Sequence, residues 1–493
     1  MEPNISCAVR FKMSEKTDYD VIVAGSGLAG MTSAAMAAKG GASVLLVDRN
    51  DEINVGKKTV WGWSCGDAVA ASHITFLEKH LNTKFDKPEL DLKVDGVLAL
   101  SPDLQAKYPF DGDGYSLDRP AFERKLLKLA RGYKMDYMHN FDVSGPVVED
   151  GFVCGINGKD MDGKQVTFRS KIVIDALGVS TVIRRNLPEN PFVDRSVDID
   201  DIESTGRYIY SFELEKEDEK YYDPKYALIH LNNDLAPGGY GWVFPKSGNR
   251  VNIGLGVQKR SLDIRNKKFG KNDNLQKLID DYVKWIPIFK NLKMDESDNN
   301  GKGIWSVPVR RQMESLVFNG YMGAGDSMTM PNPISAGGIG PALIAGILAG
   351  NVAAKAVQGG DVSVSGLWQY NLDFNVEYGS KMAGMEAFRI YLQSLSNEIL
   401  NYGMKNFLTR KEASDLTVGL IPELSIADKA KLILKGMKNI NAFSSLVFTV
   451  KKMKELNELY LNYPKSAGDF APFKTRVVHE IEGIKKRFPP ASA

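Results

Sequence analysis

The hydrophobic rhythm of the chain changes several times. Residues 21–24 (VIVA) form a short, wholly apolar run that reads as a buried strand. A stretch of small residues follows from position 28 and reads as a helix. Residues 43–47 form a second apolar strand that ends at Asp48. Residues 172–175 repeat the buried-strand pattern. Between 205 and 257 the pattern becomes alternating, so "GRYIYSFELE", "KYALIHLN", "YGWVFP" and "RVNIGLGV" predict antiparallel strands. In "PGGYGWVFPKSGNRVNIGLG" (237–256), alternation puts Tyr240, Trp242 and Phe244 on one face. Such a face serves equally as a core layer or as the wall of a pocket.

The longest run without charge extends from Ser327 to Ala354. Its second part is long enough to suggest a membrane span. Its Gly and Ala content, with Pro341 near the start, instead predicts a buried helix packed closely on a sheet. From Ser365 onward the pattern is helical, and apolar positions with lysines between them in 428–456 predict core packing as the default.

Composition adds less. With 493 residues, 43% hydrophobic and 25% charged, the chain suits a soluble globular protein of two or three domains. A net charge of +2 gives no global field for nucleic acid. The charge is uneven, however: from Asn401 on, 16 Lys and Arg face 9 Asp and Glu, so this part carries +7 and the first 400 residues −5. A basic end fits either a solvated helical face or contact with an anionic lipid surface. Three cysteines, Cys7, Cys65 and Cys154, make no disulfide framework and point to a reducing cytoplasm. The polar residues 1–17 read as a disordered leader without an apolar signal core, and Met13 offers an alternative start.

The first chemical motif is "GSGLAG", in which Gly25, Gly27 and Gly30 fill the G-x-G-x-x-G positions. It follows a strand, opens a helix and leads to Asp48 at the end of the next strand. Gly25 permits the tight turn, Gly27 lets backbone approach a pyrophosphate, and Gly30 lets helix and strand pack. The helix N-terminus offers N–H groups and a positive dipole end to phosphates. In this context the motif is a strong dinucleotide signal, and its position near the N-terminus favours FAD over NAD.

Two further segments support FAD. "KIVIDALGVSTVIRRNL" (171–187) resembles the Asp-Gly segment of the p-hydroxybenzoate hydroxylase-like flavoproteins, with Gly178 at its turn and Leu177 in place of a more usual small residue. "GYMGAGDSMTMPNPISAGGIGPALIAG" (320–346) resembles that family's strand–loop–helix unit, where the aspartate, here Asp326, binds a cofactor hydroxyl. Its glycine-rich helix start, here Gly338 and Ile339, faces the flavin pyrimidine. No second nucleotide-binding motif is present, so electrons come from transient NAD(P)H or from a protein such as ferredoxin.

With Cys65-Gly66-Asp67 before a helix, "GYGWVFP" and "NPISAGGIGPALIAG", the resemblance narrows to the geranylgeranyl reductase family, the archaeal enzymes of membrane-lipid saturation most of all. It covers roughly residues 18–358. It implies an α/β fold: a Rossmann-type FAD-binding domain (18–92, 114–192, 308–362), an inserted antiparallel substrate-binding sheet (93–113, 193–307) and a C-terminal helical region (363–493). It also implies cofactor contacts at Gly25, Gly27, Leu28, Ala29, Gly30, Asp48, Arg49, Cys65, Gly66, Asp67, Gly178, Asp326, Gly338 and Ile339. Arg119 would reach the cofactor phosphates, and Val143, at the end of a strand, the adenine. Tyr240, Trp242 and Phe244 would line an isoprenoid pocket, and no metal is expected.

The implied reaction is FAD-dependent hydrogenation of geranylgeranyl double bonds, with Cys65 and Tyr240 as candidate proton donors. The bland reading of Cys65 is a small buried side chain; the functional one is a thiol of depressed pKa beside a helix start. The implied substrate is an isoprenoid or prenylated phospholipid, met by a cytoplasmic protein with peripheral contact at the inner membrane face. Two alternatives remain open at this level. One is a flavin monooxygenase or halogenase, whose "WxWxIP" stretch resembles "GYGWVFP" and whose channel lysine Lys57 or Lys58 would supply. The other is a membrane-surface electron-transfer flavoprotein that reduces a quinone.

Overall fold

The computed structural model describes residues 17–57, 65–213, 222–285, 290–295, 303–406 and 440–490. Residues 1–16 of the leader, Lys58 and residues 428–439 of the expected tail helix therefore lie outside the described residues. β1 (Tyr19–Ala24), α1 (Leu28–Lys39) and β2 (Val44–Val47) form a βαβ unit with β1 and β2 parallel, Val21 opposite Val44. Both strands are buried over their apolar runs, as continuous apolar strands in a covered parallel sheet require.

The chain then enters a second sheet through β3 (Ala68–Ala70), leaves it for α2 (Ala71–Leu81), and returns through β4 (Leu90–Leu100) and β5 (Lys107–Leu117). After α3 (Arg119–Gly132) it builds β6 (Asp136–Met138), β7 (Asp142–Glu149), β8 (Phe152–Lys159) and β9 (Gln165–Asp175), followed by the one-turn α4 (Val182–Arg185). β10 (Ile202–Glu213), β11 (Tyr226–His230), β12 (Gly241–Lys246) and β13 (Arg250–Gln258) lead to α5 (Lys259–Phe269) and α6 (Leu275–Trp285), then β14 (Lys290–Met294) and β15 (Gly303–Pro308). β16 (Val317–Phe318) and β17 (Tyr321–Gly323) close the first sheet.

That first sheet has the order β16-β17-β9-β1-β2-β6, with β7 and β8 joined to β9. The second runs β14-β10-β13-β12-β11-β4-β5-β3, with β15 on β10. The expected antiparallel character holds except at one joint, where β11 and β4 run parallel. The second sheet also takes more chain than expected. Residues 68–70, 90–92 and 114–117, placed with the FAD-binding domain by sequence, belong to it. β4 and β5 pair along their whole length, so no short insertion boundary exists inside them.

The uncharged run forms α7 (Ile339–Gly359). It is the one described helix long and apolar enough to cross a membrane, and 83% of its apolar window is buried inside the protein. It packs on α1 through small residues. A Cβ on Gly346 would lie 1.9 Å from Thr32 Oγ1, and one on Gly350 would lie 2.4 Å from the Ser33 carbonyl. The remaining helices are α8 (Val364–Leu367), α9 (Gln369–Phe374), α10 (Ser380–Gln393), α11 (Asn397–Asn406), α12 (Ile440–Leu461) and α13 (Phe470–Arg487). Their apolar faces, with Tyr370, Phe374, Met453, Tyr460 and Val477, join the core of the first sheet, whereas the second sheet keeps a separate core around Tyr208, Ile253 and Ile279.

Replacing Gly346 with valine should force α1 and α7 apart and lower unfolding free energy by about 3 kcal/mol, the upper range for overpacking a tight interior. Urea titration of the purified protein measures it; a loss below about 0.5 kcal/mol would mean the helices do not pack this closely.

Candidate active site

The phosphate loop starts from a backbone conformation that suits glycine. Gly25 has φ +100° and donates its N–H to the Val47 carbonyl at 2.8 Å; a side chain there would strike the Ala176 carbonyl at 2.4 Å. A Cβ on Gly30 would lie 1.7 Å from the Gly25 carbonyl, so the helix can start this close to the strand only without one. At Gly27 the same construction meets nothing within 4 Å. No side chain caps α1, which leaves its first N–H groups and its dipole to a ligand. Leu28 and Ala29 are buried in this first turn.

Asp48 stands beside the loop. Its carboxylate accepts from the Ser26 N–H at 2.7 Å and from the Asn50 N–H at 2.8 Å, and retains lone pairs for ribose hydroxyls. Arg49 next to it is exposed. The Phe141 N–H bonds to the Asp48 carbonyl at 2.8 Å, which brings the Val143 segment to the same end. Val143, expected to end a strand, is instead the second residue of β7, opposite Gly158.

At the other end, Gly178 turns at φ +77° after Asp175. Asp326 lies in the turn after β17, and a Cβ on Gly338 would sit 3.4 Å from its Oδ1. Burial pushes the Asp326 carboxyl up to about 6, against the pull of the positive Arg119. α7 begins at Ile339, likewise without a side-chain cap. Two uncapped helix starts, an open Gly27 and acceptors at Asp48 and Asp326 fit an extended dinucleotide.

Between these ends lies the turn of Cys65, Gly66 and Asp67. Cys65 is half-buried, and its Sγ accepts from the Asp67 N–H at 3.3 Å. The expectation of a depressed thiol pKa is wrong. Burial pushes it up; Arg119 opposes this, and the negative Asp67 adds to it. Asp67 is 1% exposed and holds φ +62°, a left-handed conformation uncommon outside glycine. Burial alone would raise its carboxyl, but the charges of Lys246, Arg207 and Arg119 outweigh this and hold it below the ordinary range. Lys246 Nζ donates to Asp67 Oδ2 at 3.3 Å and to the Leu117 carbonyl at 2.9 Å. Arg119, first residue of α3, is bound through Nε to Glu123 at 2.8 Å and lies close enough to Cys65, Asp67 and Asp326 to affect all three. It thus shares the neighbourhood of the Cys65 turn.

The aromatic face meets this turn. Tyr240 and Trp242 have ring centroids 6.1 Å apart, and Trp242 and Phe244 6.2 Å apart, so all three share one side of β12. Trp242 is 6% exposed; Tyr240 and Phe244 are half-buried. A Cβ on Gly66 would lie 2.6 Å from the Phe244 ring, and the Tyr240 hydroxyl donates to the Ser335 carbonyl in the loop before α7. Cys65 turn, aromatic face and α7 start therefore converge. On the same side of the sheet as the three rings, Glu203 is 5% exposed, accepts from Gln393 Nε2 at 3.2 Å and lies against Gly239 and Gly256. Burial pushes it up to about 7, although Arg389 pulls it down.

Sequence inspection missed Lys246, Arg207, Asn252 and Glu203. The signal for Asn252 was present: it is the one polar residue inside "VNIGLGV". Lys246, between Pro245 and Ser247, carries no local signal of burial.

This fold and site define an FAD-dependent oxidoreductase. A family model described as FAD dependent oxidoreductase matches residues 20–185, and one described as geranylgeranyl reductase catalytic domain matches residues 201–294. The chain is 33% identical over 477 residues to the digeranylgeranylglycerophospholipid reductase of Sulfolobus acidocaldarius, covering 95% of this chain and 98% of that one. It is 32% identical over 360 residues to digeranylgeranylglycerophospholipid reductase 2 of Methanococcoides burtonii, covering 72% and 79%. Among solved structures, a geranylgeranyl bacteriochlorophyll reductase-like protein of Thermoplasma acidophilum superposes with TM-score 0.70 at 23% identity, over 89% of this chain and 99% of that one. The myxobacterial chondrochloren halogenase gives 0.61 at 15% identity, over 90% and 96%, which is likeness of fold alone. The chain belongs to the geranylgeranyl reductase family and is an FAD-dependent reductase.

Glu203 titrates higher folded than unfolded, so the folded state binds the extra proton. Its ionisation destabilises the fold progressively as pH rises from about 4.5 to about 7. Glu203→Gln should raise stability at pH 8 by up to ~3 kcal/mol, with the gain vanishing near pH 4. Denaturation at both pH values measures it; an equal effect at both would exclude the titration.

Proposed function

We propose that this protein hydrogenates isolated double bonds of geranylgeranyl chains carried on a glycerophospholipid, as in archaeal-type membrane lipid synthesis. The observation that carries this is the convergence of the aromatic face on the Cys65 turn: Gly66 backs on Phe244, and Tyr240 is tied to Ser335. Three rings whose two polar atoms are both satisfied by the protein, Tyr240 by Ser335 and Trp242 by Asn252, form an apolar wall suited to a chain without polar groups. The family likeness over nearly the whole length supports the same substrate class. Bound FAD supplies the reducing equivalents.

The protein's own residues then have these roles. Residues 25–30, Asp48, Arg49, Val143, Gly178, Asp326, Gly338 and Ile339 hold the cofactor, and Arg119 orients it from the Cys65 side. Trp242, Phe244 and Tyr240 align the prenyl chain and keep water out. Cys65 holds the proton for the second carbon. An unactivated alkene needs a donor still protonated at neutral pH, which a thiol raised by burial provides. Tyr240 suits that role less well, because its O–H is already committed to the Ser335 carbonyl. The electron donor is ferredoxin or NAD(P)H docking transiently. The protein is cytoplasmic and meets its substrate at the inner membrane face, where its basic segment from Asn401 on suits anionic head groups.

The FAD-loaded protein, reduced anaerobically with dithionite and given digeranylgeranylglyceryl phospholipid, should raise the lipid mass by one hydrogen pair per double bond. Unchanged lipid while a quinone reoxidises the flavin would make it an electron-transfer protein, and oxygen-dependent products a monooxygenase.

Trp242→Ala should retain FAD and lower kcat/KM for the lipid about tenfold or more. Loss of FAD with a collapsed fold would return Trp242 to a core role.

A further inference from the structure

One buried side chain bridges the two halves of the proposed site. Asn252 is fully buried on β13, opposite Phe244 of β12. Its Oδ1 accepts from Trp242 Nε1 at 2.9 Å. Its Nδ2 donates to the Cys65 carbonyl at 2.7 Å and to Asp67 Oδ2 at 3.3 Å. The orientation of the amide is determined by its partners: the indole N–H only donates, and the carbonyl and carboxylate only accept. A flipped amide would oppose donor to donor at one end and acceptor to acceptor at the other. Trp242 is also held from behind, since a Cβ on Gly254 would lie 2.3 Å from its ring. The indole is therefore fixed, and Asn252 transmits its position to the backbone of the thiol-bearing residue.

We infer that Asn252 is a positioning residue that sets the Cys65 thiol against the Trp242 wall, with Asp67 and Lys246 as the buried charge pair that holds the turn. The inference rests on the proposed roles of Cys65 and Trp242. It predicts that removing the amide donor moves the thiol without removing the wall. Arg207, Arg119 and Glu123 complete the charged groups around the turn, from β10 and α3.

The test uses the full-length, FAD-loaded protein carrying Cys7→Ser and Cys154→Ser, so that Cys65 is the sole thiol. Asn252→Asp keeps the acceptor for Trp242, loses the donor to Cys65 and adds negative charge; Asn252→Leu keeps the volume and loses every hydrogen bond. Iodoacetamide alkylation is followed across roughly pH 7–11, together with kcat and KM for the prenyl phospholipid. Asn252→Asp should shift the alkylation midpoint upward by about one pH unit and lower kcat about tenfold, with KM within about threefold. Asn252→Leu should alkylate faster and lose kcat similarly. Wild-type alkylation and kcat in both variants overturn the inference. If only Asn252→Leu fails to fold, Asn252→Asp decides. If both lose FAD, Asn252 is a folding residue and the inference falls. If the unsubstituted protein leaves the lipid unreduced, the proposed function fails, and the alkylation profiles alone then judge Asn252.

Discussion

The Asp67–Lys246 pair is the constraint on which the site depends. Both side chains are 2% exposed, on a turn and a strand far apart in sequence. Burying two charges is costly, and the cost is offset only when the remaining valences are bonded. Here Lys246 also reaches the Leu117 carbonyl, and Asp67 also receives Asn252. The pair therefore holds Asp67 in its left-handed conformation at the point where the chain leaves the phosphate-binding unit for the second sheet. Because Cys65 and Gly66 precede it directly, the same pair decides where the thiol and the ring-facing backbone sit.

A second buried ionic junction keeps the two sheets and the C-terminal helices together. Arg311, just before β16, pairs with Glu386 of α10 at 2.6 Å; Arg389 of the same helix pairs with Asp201 at 2.6 Å, and Lys485 of α13 meets Asp201 at 2.9 Å. Asp201 is held well below its ordinary value by these charges, although burial opposes them. Gln393, one turn beyond Arg389, bonds both Glu203 and the Gly238 carbonyl. α10 thus braces the segment just before β12, on the same sheet face that carries the three rings. This physical role for the tail was not visible in its amphipathic pattern.

Much of the first sheet was legible in the sequence, because a parallel strand covered on both faces must be uniformly apolar and a close strand–helix turn must be glycine. Gly25 and Gly30 could be assigned their duties from spacing alone. The strands around Tyr240 were equally plain, since alternation has no other simple cause. The second sheet's extent was not, because β3 is three residues long and β4 and β5 carry charged residues at their exposed positions. Short and edge-like strands leave little periodic signal.

The sequence by itself determined the dinucleotide loop, the acidic end of β2, the glycine-rich start of α7 and the shared face of three aromatic rings. Each of these follows from local backbone geometry or a two- or four-residue period. Only the tertiary structure decided that burial pushes the Cys65 thiol up, that Arg119 lies beside the Cys65 turn, and that Lys246, Asn252 and Glu203 gather around that turn and the aromatic face. Those properties come from burial and from groups brought together from distant parts of the sequence, and no local pattern encodes the dielectric around a side chain.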